Sequence, residues 1–246
     1  MNRKKKIKIV LENIKTILGA LLIALIIRSF IIQPFYIPSS SMEPTLLIGD
    51  RIFVSKYSYG FSKHSLPFSP NLFNGRIFYQ KPQRGDPVVF KTPEDNRTDF
   101  IKRLVGLPGD EIQFIQGSVF INNMKIKREK IKINNKIRCG KFSFEANSFK
   151  EVLSNGKNYT AVYNKAGTLQ NTKKFKVPID HFFFLGDNRD CSRDSRFNSV
   201  GFVHKDNLVG KAQIIFFSND TLKSRLLKFW NLNNSFRTDR IFKKIK

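Results

Sequence analysis

The sequence predicts a mainly β chain behind an N-terminal transmembrane helix, and three observations lead there. A basic cluster at residues 3–8 runs directly into the apolar stretch 17–27. Between residues 33 and 210 no stretch holds a long 3.6-residue period; short runs rich in Val, Ile and Phe alternate with Pro and Gly instead. Residues 111–122, EIQFIQGSVFIN, alternate on either side of Gly117-Ser118 as the two arms of a hairpin do.

Residues 1–15 form a basic head. Eleven apolar residues are too few to span a bilayer, which takes about 20 at ~1.5 Å each. Extending the run to Ile32 gives a span of 16–32, and Val10 or Ile14 can be counted inside it. Arg28 lies near its outer end, where a long side chain snorkels to the headgroups. No small-x-small cleavage site follows the run, so an uncleaved anchor is expected rather than a removable leader. The lysine cluster argues against a buried core helix. Six Lys or Arg precede the span and none occurs from 33 to 50. The basic end therefore stays in the cytoplasm and the large remainder is exported, giving a single-pass protein.

In the exported part, strands are expected at 50–55, 87–91, 100–105 and 210–217. Composition shifts after Ile121 to a Lys- and Asn-rich stretch, then to a polar one with scattered aromatics. Residues 111–178 read as a second, smaller β region inserted into a first domain of 33–110 and 179–220. Residues 221–246 are a basic tail. In it Leu222, Leu226, Phe229 and Trp230 share one helical face, which suits either an interfacial helix or an ordinary basic terminal helix.

Composition excludes several function classes. Two cysteines, Cys139 and Cys191, cannot staple a 246-residue scaffold, and spacing leaves open whether they pair. Three histidines and two distant cysteines give no metal site. There is no GxGxxG and no P-loop. The net charge of +25 suits a polyanionic partner, either nucleic acid or an anionic bilayer. It also suits the Lys-, Asn-, Ile- and Phe-rich composition that AT-rich coding produces. Residues 1–15 and 221–246 supply 12 of the 25 charges, and both ends can lie at a membrane surface.

Candidate chemistry is confined to three segments. His64, His181 and His204 lack a nucleophile elbow nearby, and Ser154–Lys157 is an S-x-x-K in a Gly/Asn turn without partner motifs. By contrast, residues 39–45, SSSMEPT, sit between Pro38 and Pro44 just beyond the anchor, where fixed φ angles stiffen an exposed turn. Residues 100–106 place Lys102 in an apolar strand, where desolvation lowers an amine's pKa from ~10.4 toward neutrality. A neutral amine can serve a serine as general base. Finally, the apolar residues 182–185 run into the dense polar turn 186–196, the composition of a buried hydrogen-bond network.

These segments resemble the boxes of bacterial type I signal peptidases, the leader peptidase family. IPSSSMEPTLLIGD (37–50) is similar to the nucleophile box, RGDPVVF (84–90) and FIKRLVGLPGD (100–110) to the next two, and LGDNRDCSRDSR (185–196) with GFV (201–203) to the last. The resemblance implies a coiled β-sheet or partly open barrel as catalytic domain, with the smaller β region inserted. It implies Ser41 as nucleophile and Lys102 as general base. The Ser39 hydroxyl would form the oxyanion hole with the Ser41 N–H. Ser192 would orient the base, and Asp194, Arg196 and Asp187 would support the site. Ile37, Met42, Leu46 and Ile101 would wall the pocket for the small residue before the cut, and Phe35 and Ile52 the pocket two residues upstream. Cys191 stands where Asn is expected, as either a reactive thiol or a small buried filler. Phe100 stands where Tyr is common. No diagnostic residue is visible in 122–178.

The implied activity is removal of signal peptides from exported preproteins after a small-x-small motif, through an acyl-enzyme. It implies no metal and no cofactor. The partners would be preprotein signal peptides and the lipid bilayer, with no nucleic acid and the enzyme a monomer. The place would be the bacterial inner membrane, with the N-terminus cytoplasmic and the catalytic domain on the periplasmic side. A self-cleaving Ser/Lys repressor would carry an N-terminal helix-turn-helix where this chain has an anchor. The reading from a different class is a basic membrane-tethered binding protein without catalysis. It accounts for the charge but predicts nothing about Ser41, Lys102 or the polar turn.

Overall fold

A computed structural model of the chain describes residues 3–132, 136–140, 142–167, 171–220 and 236–246. The N-terminal run forms one helix, α1 (Arg3–Ile26), continued by a π-helical turn over Ile27–Ile31. The stretch Ile7–Ile31 is 25 residues long, holds an apolar window of mean hydropathy 2.1, and is long and apolar enough to cross a membrane. At ~1.5 Å per residue it reaches about 37 Å. It begins earlier than the span 16–32 suggests because Lys8, Glu12 and Lys15 do not break a helix, whose backbone bonds are local. Only 6% of its apolar window is buried inside the protein, so its leucines and isoleucines face outward, as on a helix whose solvent is lipid.

The rest is mainly β. Four strands come first: β1 (Ile32–Tyr36), β2 (Asp50–Ser55), β3 (Pro87–Lys91) and β4 (Asp99–Gly106). A smaller set follows: β5 (Glu111–Ile115), β6 (Ser118–Ile121), β7 (Met124–Lys125), β8 (Lys127–Ile131), β9 (Lys136–Cys139), β10 (Phe142–Val152), β11 (Asn158–Asn164) and β12 (Phe175–Lys176). The chain then returns with β13 (His181–Leu185), β14 (Val203–His204), β15 (Leu208–Ser218) and β16 (Lys243–Lys244). The main sheet is antiparallel in the order β1-β2-β15-β3-β4-β13-β14, with β16 beside β15. It curls into a half-barrel. Register shifts along β15 against β2 and β3 are bulges, which add the twist such curling needs. The smaller set pairs as β11-β10-β8, with β9 on β10, and as β12-β5-β6-β7.

The two faces of β13 explain its run of four apolar residues. Phe182 and Phe184 pack with Val88, Phe90 and Leu104, whereas Phe183 and Leu185 pack with Ile112, Phe114 and Val177. Side chains alternate at period two, so a strand buried on both faces reads as unbroken hydrophobicity. The hairpin over 111–122 forms as expected, with its turn one residue earlier. Ile115 pairs with Ser118, leaving Gln116 and Gly117 at φ 48° and 68° as a two-residue loop. A type I′ turn needs both central residues at positive φ, so Gly117 takes its second place.

The tail differs from a simple basic extension over its described part. Residues 236–246 fold back on the main sheet, where β16 pairs with β15. Arg240 is buried and bonds both oxygens of Asp50, at 3.1 and 2.6 Å. The helical face of Leu222, Leu226, Phe229 and Trp230 lies outside the described residues.

Candidate active site

The loop between β1 and β2 carries Ser41 and is closed at its base. Ile37 N–H donates to Asp50 O (2.9 Å), and Gly49 N–H donates to Ile37 O (3.0 Å). The Asp50 carboxylate accepts from Leu47 N–H at 2.8 Å and from the Ser218 hydroxyl at 2.6 Å. Below the loop, Met42 and Leu46 are wholly buried with Ile52, Val54 and Ala212. A loop anchored in this way holds its serines still, and Ser41 is 7% exposed.

Lys102 reaches the serine from β4. Its Nζ donates to Ser41 Oγ at 2.7 Å and to Ile101 O at 3.0 Å, and it lies 5.0 Å from the centre of the Phe100 ring. The lysine is 4% exposed. Burial pulls its pKa down to about 8, although Asp194 and, less strongly, Asp187 pull it upward. The Ser39 hydroxyl stands 3.4 Å from Ser41 Oγ.

The polar turn 186–196 lies against the back of the serine. Asn188 N–H donates to Ser41 O at 3.1 Å, and its side-chain amide bridges Ser40 O and Arg138 O. Asp194 accepts from Gly186 N–H at 2.9 Å and from two Arg196 nitrogens at 2.8 and 2.9 Å. Asp187 clasps Arg103 through two bonds of 2.6 Å and accepts from the Thr45 hydroxyl at 2.5 Å. Both groups are fully buried, so each charge depends on the other. Ser192 is buried in the same turn, and its hydroxyl has no hydrogen-bond partner. The geometry thus brings Ser192 beside the site without placing its hydroxyl on Lys102.

A cavity of about 450 Å³ opens over Ser39, Ser41 and Lys102. Phe35, Ile37, Ile52 and Ile101 line it, whereas Met42 and Leu46, expected as walls, do not; they are wholly buried in one cluster with Ile37 and Ile52 because their side chains turn into the core. Cys191 also lines it, in a disulfide with Cys139 and with a Cα–Cα distance of 5.4 Å. The sulfur is therefore neither a free thiol nor a mere filler.

Several positioning groups escape a reading of the sequence. Arg103 carries a signal in hindsight, since a second cation in an apolar strand requires a buried acid. Arg189 is held by Glu151 of β10, at 2.8 and 3.2 Å, and by the hydroxyls of Tyr159 and Tyr163 of β11. Those three partners and Cys139 belong to the stretch 122–178, where no local pattern marks them. Arg138 N–H of the same stretch also donates to buried Glu43, at 3.0 Å. The smaller β region thus braces both the serine loop and the polar turn.

The sequence model of the family described as signal peptidase, peptidase S26, matches residues 10–217. Signal peptidase I of Rickettsia typhi is 42% identical over 265 aligned positions, covering 100% of this chain and 98% of that protein. Signal peptidase I of Rickettsia prowazekii is 44% identical over 241 positions, covering 91% and 89%. A crystal structure of a signal peptidase I from Enterococcus faecalis is 26% identical and covers 54% of this chain and 97% of that one. Its TM-score of 0.32 is too loose to bear on the fold. The family's pattern runs from the membrane helix through β15, and its relatives align over nearly their whole length. The chain therefore belongs to the signal peptidase family, peptidase S26, and is a serine endopeptidase.

Proposed function

We propose that Ser41 and Lys102 form the catalytic dyad of this peptidase, which cuts preproteins after a small-x-small motif through an acyl-enzyme. Family membership carries the coarser statement that the chain removes signal peptides from preproteins. The observation that supports the finer reading best is the buried Lys102 Nζ at 2.7 Å from Ser41 Oγ. With a pKa of about 8, roughly a tenth of the amines are neutral at pH 7; at the ordinary ~10.4 the fraction is about one in 2,500.

Neutral Lys102 accepts the Ser41 proton as Oγ attacks the scissile carbonyl carbon. The developing oxyanion is met by the Ser39 hydroxyl and the Ser41 N–H. Protonated Lys102 then gives its proton to the leaving amine, and the acyl-enzyme remains. Water surrenders a proton to Lys102, attacks the ester and restores Ser41. Asp194, Arg196, Asp187 and Ser192 act as positioning residues for this machinery.

An extended substrate has a place to lie. β13 pairs with β4 only from Arg103 onward, so residues 99–102 keep an open edge toward the cavity. Residues 35–39 form the opposite wall. A peptide added there gains main-chain bonds, and its alternate side chains meet Phe35, Ile37, Ile52 and Ile101. The apolar walls suit small residues at the cut.

The exposed apolar helix supports a membrane-anchored enzyme. The charge asymmetry supports a cytoplasmic N-terminus and a periplasmic catalytic domain at the inner membrane. A single chain carries every group of the proposed site, which suits a monomer. Anchoring enzyme and substrate in one bilayer raises their effective concentration.

The test is cleavage of a preprotein with an Ala-x-Ala site by the full chain in detergent, from about pH 6 to about pH 10. Wild type should cut after the site, with a rate that rises through about pH 8. Ser41→Ala and Lys102→Ala should be inactive. Cleavage by Ser41→Ala would overturn the dyad, and an inactive wild type would favour a membrane-tethered binding protein.

A further inference from the structure

We propose that a second cavity, beside the end of the membrane helix, binds the phosphate of an anionic phospholipid headgroup. The cavity measures about 460 Å³, and its lining includes Arg28, Lys56, Lys91, Arg97, Asp99 and His64. Four of these are cations against one carboxylate. Asp99 is already engaged by Lys91 at 2.9 Å. Among the described residues no carboxylate lies within ion-pair reach of Arg28, Lys56 or Arg97, so the lining carries three unbalanced positive charges.

Two buried groups in the lining keep polar capacity that their neighbours do not use. Lys56 is 2% exposed, and among the described residues its Nζ donates to the carbonyl of Ser65 alone. Burial first and neighbouring Arg28 second pull its pKa down to about 8, while Asp99 pulls the other way. His64 is buried too, and its Nδ1 lies 3.0 Å from the Ser69 hydroxyl. Its Nε2 has no hydrogen-bond partner. In the tautomer whose Nδ1 accepts from the Ser69 hydroxyl, Nε2 carries the ring proton and is free to donate to an anion. An anion in this cavity would offset the charge of Arg28, Lys56 and Arg97.

The surroundings favour a lipid over a free ion. Arg28 lies in the last turn of the membrane helix, so the cavity stands at the level of the headgroups. Leu66, Pro67 and Phe68 rim it, and Phe68 is wholly exposed; Leu72 and Phe78 are exposed on the same loop. A lining that joins cations to exposed apolar residues suits an amphiphile. Three uncompensated charges favour a net anion over a zwitterion. Phe35 and Asp99 line both cavities, so a bound headgroup would hold the substrate cavity at a set height over the bilayer.

The experiment is native mass spectrometry of the full chain in mild detergent, titrated with phosphatidylglycerol, phosphatidylcholine or inorganic phosphate. Wild type should hold one phosphatidylglycerol at least tenfold more tightly than phosphatidylcholine. Arg28→Gln/Arg97→Gln should lose at least tenfold in that affinity, and Lys125→Gln/Lys127→Gln, on exposed β7 and β8 positions, should lose none. Melting in lipid-free detergent checks that both variants fold; if the first does not, Arg97→Gln alone serves. Equal lipid binding by the two variants, or equal affinity for the two lipids, overturns the site. Displacement of the lipid by millimolar inorganic phosphate overturns the assignment to a lipid. The readout is independent of cleavage, so Ser41→Ala should bind the lipid as wild type does.

Discussion

Lys102 shows how a single residue can oppose the fold it serves. Its folded pKa of about 8 lies below the ordinary lysine value, so the unfolded chain binds more protons between about pH 8 and pH 10. Stability contributed by this group is therefore absent at pH 7 and appears as pH rises through that window. Lys102→Met should abolish cleavage yet stabilise the full chain at pH 7 by up to about 3 kcal/mol. Urea titrations in detergent at pH 7 and pH 10 should show that gain shrinking at the higher pH; a gain equal at both would contradict the assignment. Arg103 behaves in the opposite way. Removing it leaves Asp187 buried and unpaired, so Arg103→Met should cost about 3–5 kcal/mol. Adding Asp187→Leu should recover most of that loss, which a double-mutant cycle measures. The apolar setting of Lys102 was legible in FIKRLVG, because a strand of that composition has nowhere to hide a charge from its neighbours. The partner of Arg103 was not, because it lies 84 residues away.

Among the elements, the polar turn 186–196 packs most closely against the proposed nucleophile. Gly186 sits where a Cβ would lie 2.2 Å from Ser192 Oγ and 2.5 Å from Ser41 O. The second of these is backbone, so it cannot retreat without moving Ser41. Gly186→Ala should lower kcat/KM by about 100-fold or more, since displacements near 1 Å at a reacting group cost that much. Gly156→Ala is the control: its Cβ meets open space, and at φ +79° it should cost about 1 kcal/mol of stability without changing kcat/KM. Strand positions were well marked. The runs 50–55 and 87–91 are β2 and β3 residue for residue, and 100–105 and 210–217 lie inside β4 and β15. Edges drifted by one or two residues because strand ends are decided by pairing partners rather than by local propensity.

For the whole molecule, the bond between Cys139 and Cys191 ties the smaller β region to the polar turn. It closes a loop of 52 residues, for which the chain-entropy estimate is about 4 kcal/mol. Cys139→Ala/Cys191→Ala should lower the urea midpoint accordingly. Dithiothreitol should destabilise wild type by the same amount and leave the double variant unmoved; a shift in both would point elsewhere. The same region also delivers Glu151, Tyr159 and Tyr163 to Arg189, so the smaller set of strands is a brace for the site rather than an ornament on it.

The sequence by itself determined the apolar N-terminal helix, the β character of the rest and the hairpin over 111–122, and it pointed to the serine, lysine and polar-turn segments that the fold brings together. Those are local properties: a run, a period or a composition is visible in consecutive residues. Only the tertiary structure decided that Lys102 meets Ser41 across 61 residues, that Arg103 needs Asp187, that Glu151 holds Arg189, and that Arg240 turns inward to Asp50. Each of these is a pair of polar groups whose bond is worth little in water and much once both are buried. Packing of the main sheet together with the smaller set of strands removes them from water, and no stretch of sequence records that packing on its own.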